Sequence, residues 1–256
     1  MGSYLKDKRV LVTGGTGSLG TVLTKRLLQE GASKIRIFSR DEAKQYAMLR
    51  ELKEPKLEFQ LGDIRNSDDV RAALQEIDIV FNTAALKQVP NCEYAPWQAV
   101  QTNVMGAENI VKNIAAHSLP VKVVVGILTD KCVKPVNVMG MTKALQERVF
   151  IHGNLRCKET RFVCARYGNV LASRGSLIPL LHSQIAKGGP MTITSPSMTR
   201  FLMNLDEAVN LIFNVVEDAL PGEIFIPRIR SARVMEIAEI FSERTGIPIE
   251  IIGERP

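Results

Sequence analysis

A chain of 256 residues is long enough for one large domain, or for a domain with a small appendage. Its 45% apolar and 23% charged residues are ordinary for a folded globular protein and exclude intrinsic disorder. The net charge of +6 is spread along the chain without a basic stripe or an aromatic stacking motif. We therefore expect no nucleic-acid partner, whereas a small anionic ligand is compatible with this charge.

The four cysteines are scattered and form no CxxC pair, and no histidines lie at ligand spacing. We therefore expect a reduced protein with no structural metal. No stretch reaches roughly 18 uninterrupted apolar residues, and the N-terminus lacks a signal-peptide pattern. These features predict a soluble, cytoplasmic protein with no membrane segment.

Strand and helix patterns alternate through the first two thirds of the chain. The predicted strands are 9–13, 34–38, 57–61, 79–82, 121–128 and 161–167. The predicted helices are 19–30, 41–53, 70–76, 102–117 and 139–152. Repeated strand–helix units of this kind predict an α/β fold, a Rossmann-type doubly wound parallel sheet.

The alternation ends after Gly168. Helices are predicted at 176–187, 206–219 and 234–245, and strands at 191–194, 223–226 and 247–252. The helix at 206–219 has the length and apolar spacing to pack back on the sheet. We therefore expect a Rossmann domain of residues 1–170 and 205–222, with a smaller interleaved region of residues 171–204 and 223–256.

A glycine-rich turn lies between the first strand and the first helix. Gly15, Gly17 and Gly20 have the G-x-G-x-x-G spacing of dinucleotide-binding turns, in which backbone N–H groups approach a pyrophosphate at a helix N-terminus. The alternative is a glycine-rich turn without a ligand. The residues that we predict to bind phosphate are Gly14, Thr16, Gly17, Ser18, Leu19 and Gly20.

Ser39 and Arg40 follow the second strand, about 20 residues beyond the glycines, where NAD-binding proteins usually have an acid for the ribose 2′-hydroxyl. A hydroxyl and a guanidinium suit a 2′-phosphate instead, and Lys44 lies one turn further on. This position favours NADP over NAD. A compatible alternative is that Ser39 begins a helix in a capping box with Glu42.

A hydroxyl, a carboxylate and an amine stand side by side at Thr129, Asp130 and Lys131, where the fifth strand ends. Met139 and Lys143 are four residues apart and share one face of the following helix. At the open end of a parallel sheet such a cluster can gather around a ligand. The alternative is an Asp–Lys ion pair on a surface loop.

Taken together, the motifs resemble the extended short-chain dehydrogenase/reductases that modify nucleotide sugars. The closest resemblance is to the UDP-N-acetylglucosamine 4,6-dehydratases, including the C5-inverting enzymes of capsule and O-antigen polysaccharide synthesis. The segments that carry it are 13–20, 39–42, 62–65, 82–87, 102–104, 129–131, 135–137, 166–170, 173–176 and 198–201.

The resemblance implies a tightly bound, recycled NADP, a UDP-sugar substrate and a homo-oligomer between dimer and hexamer. Oxidation at sugar C4 is followed by loss of water across C5 and C6 and by hydride return to C6, with or without inversion at C5. Lys131 would be the base at C5, and Asp130 the acid for the departing 6-hydroxyl. Thr129 would hydrogen-bond the 4-hydroxyl, and Lys143 would hold the nicotinamide ribose.

The same resemblance assigns further binding residues. The Rossmann domain would bind the cofactor, and the smaller region, incomplete at Pro256, would bind the sugar nucleotide. Besides the phosphate-binding turn, the cofactor residues would be Ser39, Arg40, Lys44, Asp63, Ile64, Ala84, Ala85, Lys87, Asn103 and Lys143. The substrate residues would be Lys87, Asn169, Arg174, Thr194 and Arg200.

Met139 departs from the pattern, because many members of the superfamily have a tyrosine four residues before the lysine. That phenol takes the proton of the 4-hydroxyl during oxidation, and a thioether cannot exchange a proton in water. Two alternatives therefore stay open: a UDP-sugar 4-epimerase, and a nucleotide-binding relative without catalytic activity.

Overall fold

A computed structural model describes residues 4–171 and 176–253. The strands are β1 (Arg9–Thr13), β2 (Lys34–Ser39), β3 (Leu57–Leu61), β4 (Ile79–Asn82), β5 (Val123–Thr129), β6 (Arg161–Tyr167), β7 (Met191–Ile193), β8 (Thr199–Leu202), β9 (Ile224–Phe225), β10 (Arg230–Arg233) and β11 (Ile249–Ile251). The helices are α1 (Ser18–Gln29), α2 (Glu42–Leu52), α3 (Ser67–Ala73), α4 (Val89–Tyr94), α5 (Pro96–Ala99), α6 (Gly106–His117), α7 (Val138–Arg156), α8 (Leu177–Ala186), α9 (Leu205–Asp218) and α10 (Val234–Thr245).

Seven strands form one sheet in the order β3-β2-β1-β4-β5-β6-β9. Strand β1 pairs in parallel with both β2 and β4, and β4 pairs in parallel with β5. The apolar residues of these central strands are buried, as expected where helices cover both faces of a parallel sheet. The predicted α/β doubly wound fold is confirmed. Because the strand order reverses between β1 and β4, the carboxyl ends of these strands border the crevice where such sheets bind ligands.

The chain divides into two units. Unit 1 comprises the residues up to Arg166 together with Val209–Ile226, and it contains the central sheet. Unit 2 comprises Tyr167–Ala208 and the residues from Pro227 on. Strand β9 pairs with β6 through Cys164 and Ile224, and so the segment 223–226 belongs to unit 1 rather than to the smaller region. The strand is only two residues long, and its sequence does not indicate which sheet it joins.

Unit 2 is built around two short strand pairs. Strands β7 and β11 are parallel, and β8 and β10 are antiparallel. Its buried cluster is formed by Ile193, Val234 and Ala238, against which Leu177 and Ile249 pack. Strands β8 and β10 are absent from the sequence prediction. Their charged and exposed residues mask the alternation of a strand with one buried face.

The connection between β4 and α6, predicted as a loop, contains α4 and α5 and then a π-helical segment, Val100–Met105, that leads into α6. The helix predicted at 102–117 therefore begins in π geometry, which is frequent at functional sites. Helix α7 begins after Asn137, whose side chain accepts a hydrogen bond from the N–H of Gly140 at 2.8 Å. It ends at Arg156, four residues beyond the prediction.

Membrane-spanning helices and metal-binding clusters are both absent from the described residues. None of their helices is both long enough and apolar enough to cross a bilayer. Over the same residues, His, Cys, Asp and Glu side chains form no cluster of three or more that could hold a metal ion. All four cysteines are buried and free.

Candidate active site

The glycine turn after β1 is shaped by backbone contacts that leave no room for side chains. Gly14 has φ +66° and donates its N–H to the carbonyl of Phe38 at 2.7 Å. A Cβ at Gly14 would lie 2.8 Å from the Cα of Ala84, and one at Gly20 would lie 2.5 Å from the carbonyl oxygen of Gly15. Glycine is therefore required at both positions, because the loop after β4 packs against Gly14 and α1 packs directly on the turn at Gly20.

The N-terminus of α1 fits a phosphate group. Gly17 caps the helix without a side-chain hydrogen bond, and the first turn of this fully described helix carries no acidic residue. Its positive dipole end is therefore not offset by a carboxylate of its own first turn. The buried Thr16 donates its hydroxyl to that of Ser39 at 3.4 Å, which links this turn to the end of β2.

At the start of α2 the structure corrects the predicted capping box. Asp41 caps the helix and accepts a hydrogen bond from the N–H of Lys44 at 3.0 Å, and the ammonium of Lys44 pairs with the same carboxylate. Ser39 lies before the cap, and its hydroxyl oxygen accepts from the amide of Gln45 at 3.1 Å. The alternative of a Ser39–Glu42 capping box is therefore wrong. An aspartate two residues later has the same capping chemistry and a better position.

Asp63 connects the ends of β2 and β3. Its carboxylate accepts two hydrogen bonds from Arg65, at 2.8 and 2.6 Å, and pairs with Arg40 at 3.5 Å. Although partial burial acts to raise the pKa of Asp63, the bonds from Arg65 hold it below its ordinary value. Two guanidiniums share this one carboxylate, so a positive charge is left over at the end of β2. The side chain of Ile64 is buried in the core of unit 1.

The loop after β4 is held in place by Asn103 from the π-helical segment. The amide of this buried residue exchanges two hydrogen bonds with the backbone of Leu86, at 2.9 and 3.0 Å. It also donates to the hydroxyl of Thr142 at 3.0 Å. Asn103 therefore positions the loop containing Ala84 and Ala85. In the same loop, desolvation lowers the pKa of Lys87, although its side chain reaches solvent.

Thr129, Asp130 and Lys131 lie in a turn at the end of β5, residues 129–132, which we call the catalytic turn after the roles that the resemblance predicts for them. One carboxylate oxygen of Asp130 accepts from the hydroxyl of Thr129 at 2.8 Å and from the ammonium of Lys131 at 3.0 Å. The side chains of Asp130 and Lys131 are 27% and 32% exposed. The Asp–Lys ion pair considered as an alternative is thus present, but it is partly buried and joined to the threonine.

Gly140 fixes the position of the catalytic turn. A Cβ at Gly140 would lie 2.2 Å from the carbonyl oxygen of Lys131, so the first turn of α7 packs directly against that peptide. Gly140 is not among the residues predicted from the sequence. A glycine inside a helix is the available signal, because it costs helix stability relative to alanine and calls for a packing reason.

Lys143 is buried, and its ammonium donates to the carbonyl of Ile127 and to the amide oxygen of Gln146, each at 2.8 Å. Burial lowers the pKa of Lys143 to about 8. Met139, one turn earlier, is also buried and lies in an apolar cluster with Cys92 and Ala99. Both residues therefore lie on the buried side of α7.

A buried ion pair beneath the catalytic turn is also absent from the sequence analysis. Glu147 of α7 accepts two hydrogen bonds from Arg166 of β6, at 3.2 and 2.7 Å. The same carboxylate oxygen lies 3.9 Å from the thiol of Cys132, which donates to the carbonyl of Thr129. The pair supports the turn from below, and its two members are too far apart in sequence to be recognised as partners.

The remaining predicted substrate residues lie in unit 2 or outside the described residues. Arg174 falls outside them. Asn169 has a buried side-chain oxygen with no hydrogen-bond partner among the described residues. Thr194 follows β7, and Arg200 lies on β8, where its guanidinium donates to the carbonyl of Thr199 at 2.8 Å. The unpartnered oxygen of Asn169 is the feature of this group that most favours a ligand contact.

Comparison with known proteins adds the family. The family model described as "Polysaccharide biosynthesis protein" matches residues 10–256. The chain belongs to this family. The match and the shared fold support the extended short-chain dehydrogenase/reductase family inferred from the motifs.

Individual relatives agree with this assignment. A UDP-glucose 4-epimerase of Rickettsia canadensis is 45% identical over 257 residues, which cover 97% of this chain and 75% of that protein. The X-ray structure of Pen from Bacillus thuringiensis has a TM-score of 0.94 at 38% identity, covering 99% of this chain and 82% of that one. DesIV, a dTDP-glucose 4,6-dehydratase of Streptomyces venezuelae solved with NAD, has a TM-score of 0.87 at 21% identity, over 96% and 85% of the two chains. This last likeness concerns the fold alone.

Proposed function

We propose that the protein is a nucleotide-sugar 4,6-dehydratase that acts on UDP-N-acetylglucosamine and uses a nicotinamide cofactor. The observation that carries this proposal is the hydrogen-bonded set of Thr129, Asp130 and Lys131 at the carboxyl end of a central strand. A dehydratase needs an acid and a base side by side, since a proton must leave C5 while the 6-hydroxyl is protonated. A hydroxyl, an acid and an amine are the groups that this reaction requires.

The proton balance of the reaction suits this arrangement. A bound nicotinamide cofactor supplies the redox chemistry, by accepting hydride from C4 and returning it to C6. The proton of the 4-hydroxyl then passes through the hydroxyl of Thr129 to Asp130, along their 2.8 Å hydrogen bond. Asp130 gives this proton to the 6-hydroxyl, which leaves as water. The proton lost at C4 is thus the proton gained at C6, and a phenol at position 139 is not needed.

Lys131 acts at C5 in this scheme. Its ammonium, which pairs with Asp130 in the structure, first releases a proton to solvent. The neutral amine then removes the proton from C5 during the elimination and returns a proton to C5 when hydride reaches C6. Because Asp130 loses its proton in the same elimination step, the two side chains then form the ion pair seen at 3.0 Å. The face from which the proton returns decides whether C5 is inverted.

The cofactor would lie across the glycine turn and the end of β2. Gly14, Gly17 and Gly20 let the pyrophosphate approach α1, and Lys143 would hold the nicotinamide ribose. The surplus positive charge that Arg40 contributes beside Asp63 favours the 2′-phosphate of NADP over the free ribose of NAD. NAD is the competing cofactor.

A UDP-sugar 4-epimerase is the second candidate, and the 45% identical relative named UDP-glucose 4-epimerase favours it. An epimerase runs the same C4 oxidation in both directions, and the usual base for this step is the tyrosine that Met139 replaces. Met139 lies in an apolar cluster and offers no proton acceptor. The dehydratase proposal is preferred because it has a proton route that avoids this position.

Incubation of the NADP-loaded protein with UDP-N-acetylglucosamine in D₂O tests the proposal. We expect a product with deuterium at C5 and without the 6-hydroxyl, which NMR and mass spectrometry will identify. A C4 epimer without deuterium at C5 would contradict the dehydratase and support the epimerase. Absence of turnover with cofactor and substrate both bound would support an inactive relative.

The substrate residues and the assembly belong to the same proposal. Lys87 is proposed to contact the sugar or the cofactor, and Asn169, Thr194 and Arg200 the UDP portion. The unpartnered oxygen of Asn169 supports its role.

A homo-oligomer is proposed because Met141 and Leu145 of α7 are apolar and about half exposed, next to Val133 in the loop beside them. Light scattering will determine the number of subunits.

A further inference from the structure

Gln146 lies on α7 less than one turn beyond Lys143, and the whole residue is inaccessible to solvent. Its amide oxygen accepts a hydrogen bond from the ammonium of Lys143 at 2.8 Å. Because an ammonium group can only donate, this contact fixes the orientation of the amide and turns its nitrogen away from the lysine.

The amide nitrogen of Gln146 then has no hydrogen-bond partner among the described residues. A buried donor without a partner lowers stability, so the fold alone does not account for a glutamine at this position. An apolar side chain of similar length would remove the unpaired nitrogen. What glutamine adds is the single contact with Lys143, and departures from packing rules of this kind concentrate at functional sites.

Among the described residues, no anionic group pairs with the ammonium of Lys143. Its second acceptor is the backbone carbonyl of Ile127, at 2.8 Å. The titratable groups that face it are Cys132 from the catalytic turn and Cys164 from β6. Burial raises the pKa of both thiols, so both are protonated and neutral near neutral pH.

The nearest buried carboxylate on the same helix, that of Glu147, already accepts two hydrogen bonds from Arg166. Within the described chain, the ammonium of Lys143 is therefore held by two neutral oxygens. One of the two is a fixed backbone carbonyl, and the other belongs to Gln146.

We propose that Gln146 is a positioning residue for Lys143, which directs its ammonium toward the cofactor and sets the pH at which it loses its charge. This inference rests on the proposed function, which gives Lys143 its role. Two acceptors occupy two of the three N–H bonds, and the third remains for the nicotinamide ribose. A neutral acceptor keeps the charged and neutral forms of Lys143 close in free energy, whereas a carboxylate at position 146 would stabilise the charged form strongly.

The test is a titration of Lys143 in the NADP-loaded protein, with lysine labelled by ¹³C at Cε and its signal assigned with Lys143→Met. In Gln146→Met the ammonium loses an acceptor, and we expect its midpoint to fall by about one pH unit. In Gln146→Glu we expect a rise of about one pH unit or more. The pH profile of kcat should move in the same two directions.

A matched control is Gln75, whose side chain is exposed beyond the end of α3. Gln75→Met and Gln75→Glu should leave the titration of Lys143 unchanged. Urea unfolding adds a readout that separates positioning from a structural role. We expect Gln146→Met to unfold at the same or a higher urea concentration than the parent, because the unpaired nitrogen is removed.

Two results would overturn the proposal. One is a midpoint of Lys143 that does not move in either Gln146 variant. The other is a clear loss of stability in Gln146→Met with an unchanged titration, which would make the glutamine structural. A failure of the proposed function is seen separately, as absence of the C5-deuterated product in the D₂O incubation, while the titration still decides the role of Gln146.

Discussion

The glycine turn after β1 and the catalytic turn after β5 lie at the same edge of one sheet, but they are built in opposite ways. The glycine turn depends on missing side chains, because a Cβ at Gly14 or Gly20 would collide with backbone atoms. The catalytic turn depends on side chains, since Thr129, Asp130 and Lys131 are joined by hydrogen bonds. The first site is therefore sensitive to added volume and the second to altered chemistry.

The strongest test of this contrast is removal of the proposed base. In Lys131→Ala we expect turnover and deuterium exchange at C5 to fall by about 10³-fold, because general-base catalysis contributes on this scale. The cofactor should stay bound, since Lys131 takes no part in the glycine turn. Exchange is followed by NMR, and bound NADP by absorbance after gel filtration.

Lys134 provides the control for this substitution, because it lies three residues further along the same loop. Lys134→Ala should retain turnover within about twofold, in line with the small effects of most surface substitutions. Retained C5 exchange in Lys131→Ala would reject Lys131 as the base.

The second prediction concerns a feature that the two turns share, because the catalytic turn also packs against a glycine. In Gly140→Ala the new Cβ collides with the carbonyl oxygen of Lys131, so the turn or the start of α7 must move. A displacement of about 1 Å can cost about 10²-fold in rate, and we expect a fall in kcat of this order. Cofactor binding should persist. Steady-state kinetics and an NADP titration measure the two effects.

An unchanged kcat in Gly140→Ala would contradict the role of this contact. Gly189→Ala is the matched control, because open space surrounds that position and its φ is not in the left-handed region. The control should match the parent protein in both kcat and NADP affinity.

The sequence predicts the two turns themselves, but not the residues that support the catalytic turn. The glycine spacing and the Thr-Asp-Lys run are local, so the sequence identifies both turns and places them at strand ends. The supports of the catalytic turn are not local. Gln146, and the pair of Glu147 and Arg166, are ordinary polar residues until the fold places Gln146 against Lys143 and the pair beside Cys132 of the turn. Strands β8 and β10 are missed for a similar reason, because their pairing and not their composition makes them strands.

The third prediction adds volume to the glycine turn. Gly20→Ala places a Cβ 2.5 Å from the carbonyl oxygen of Gly15, and α1 must move away from the turn. We expect a loss of about 1–3 kcal/mol in the free energy of unfolding, as for overpacking elsewhere in a protein interior. NADP affinity should fall by about tenfold or more, since the phosphate-binding amides shift with the helix. Urea unfolding and calorimetry give the two values.

Gly189→Ala again serves as the control, and it should change neither quantity. A Gly20→Ala protein with normal stability and normal NADP affinity would show that α1 can be displaced without consequence. The proposal that close packing of α1 forms the phosphate site would then fail.

The smallest expected effect concerns the choice of cofactor at the end of β2, which contacts the glycine turn and also carries charged side chains. The guanidinium of Arg40 is half exposed and only loosely paired with Asp63, which is held more closely by Arg65. Arg40→Ala should therefore leave the fold intact and reduce NADP affinity by about tenfold, the range of an exposed charged contact to phosphate. NAD affinity should change by less than about twofold, so the ratio of the two dissociation constants isolates the 2′-phosphate. Arg50→Ala, which removes an exposed arginine of α2, is the control. An equal loss for both cofactors would show that Arg40 acts on a part they share, and an unchanged ratio would remove the support that this residue gives to NADP.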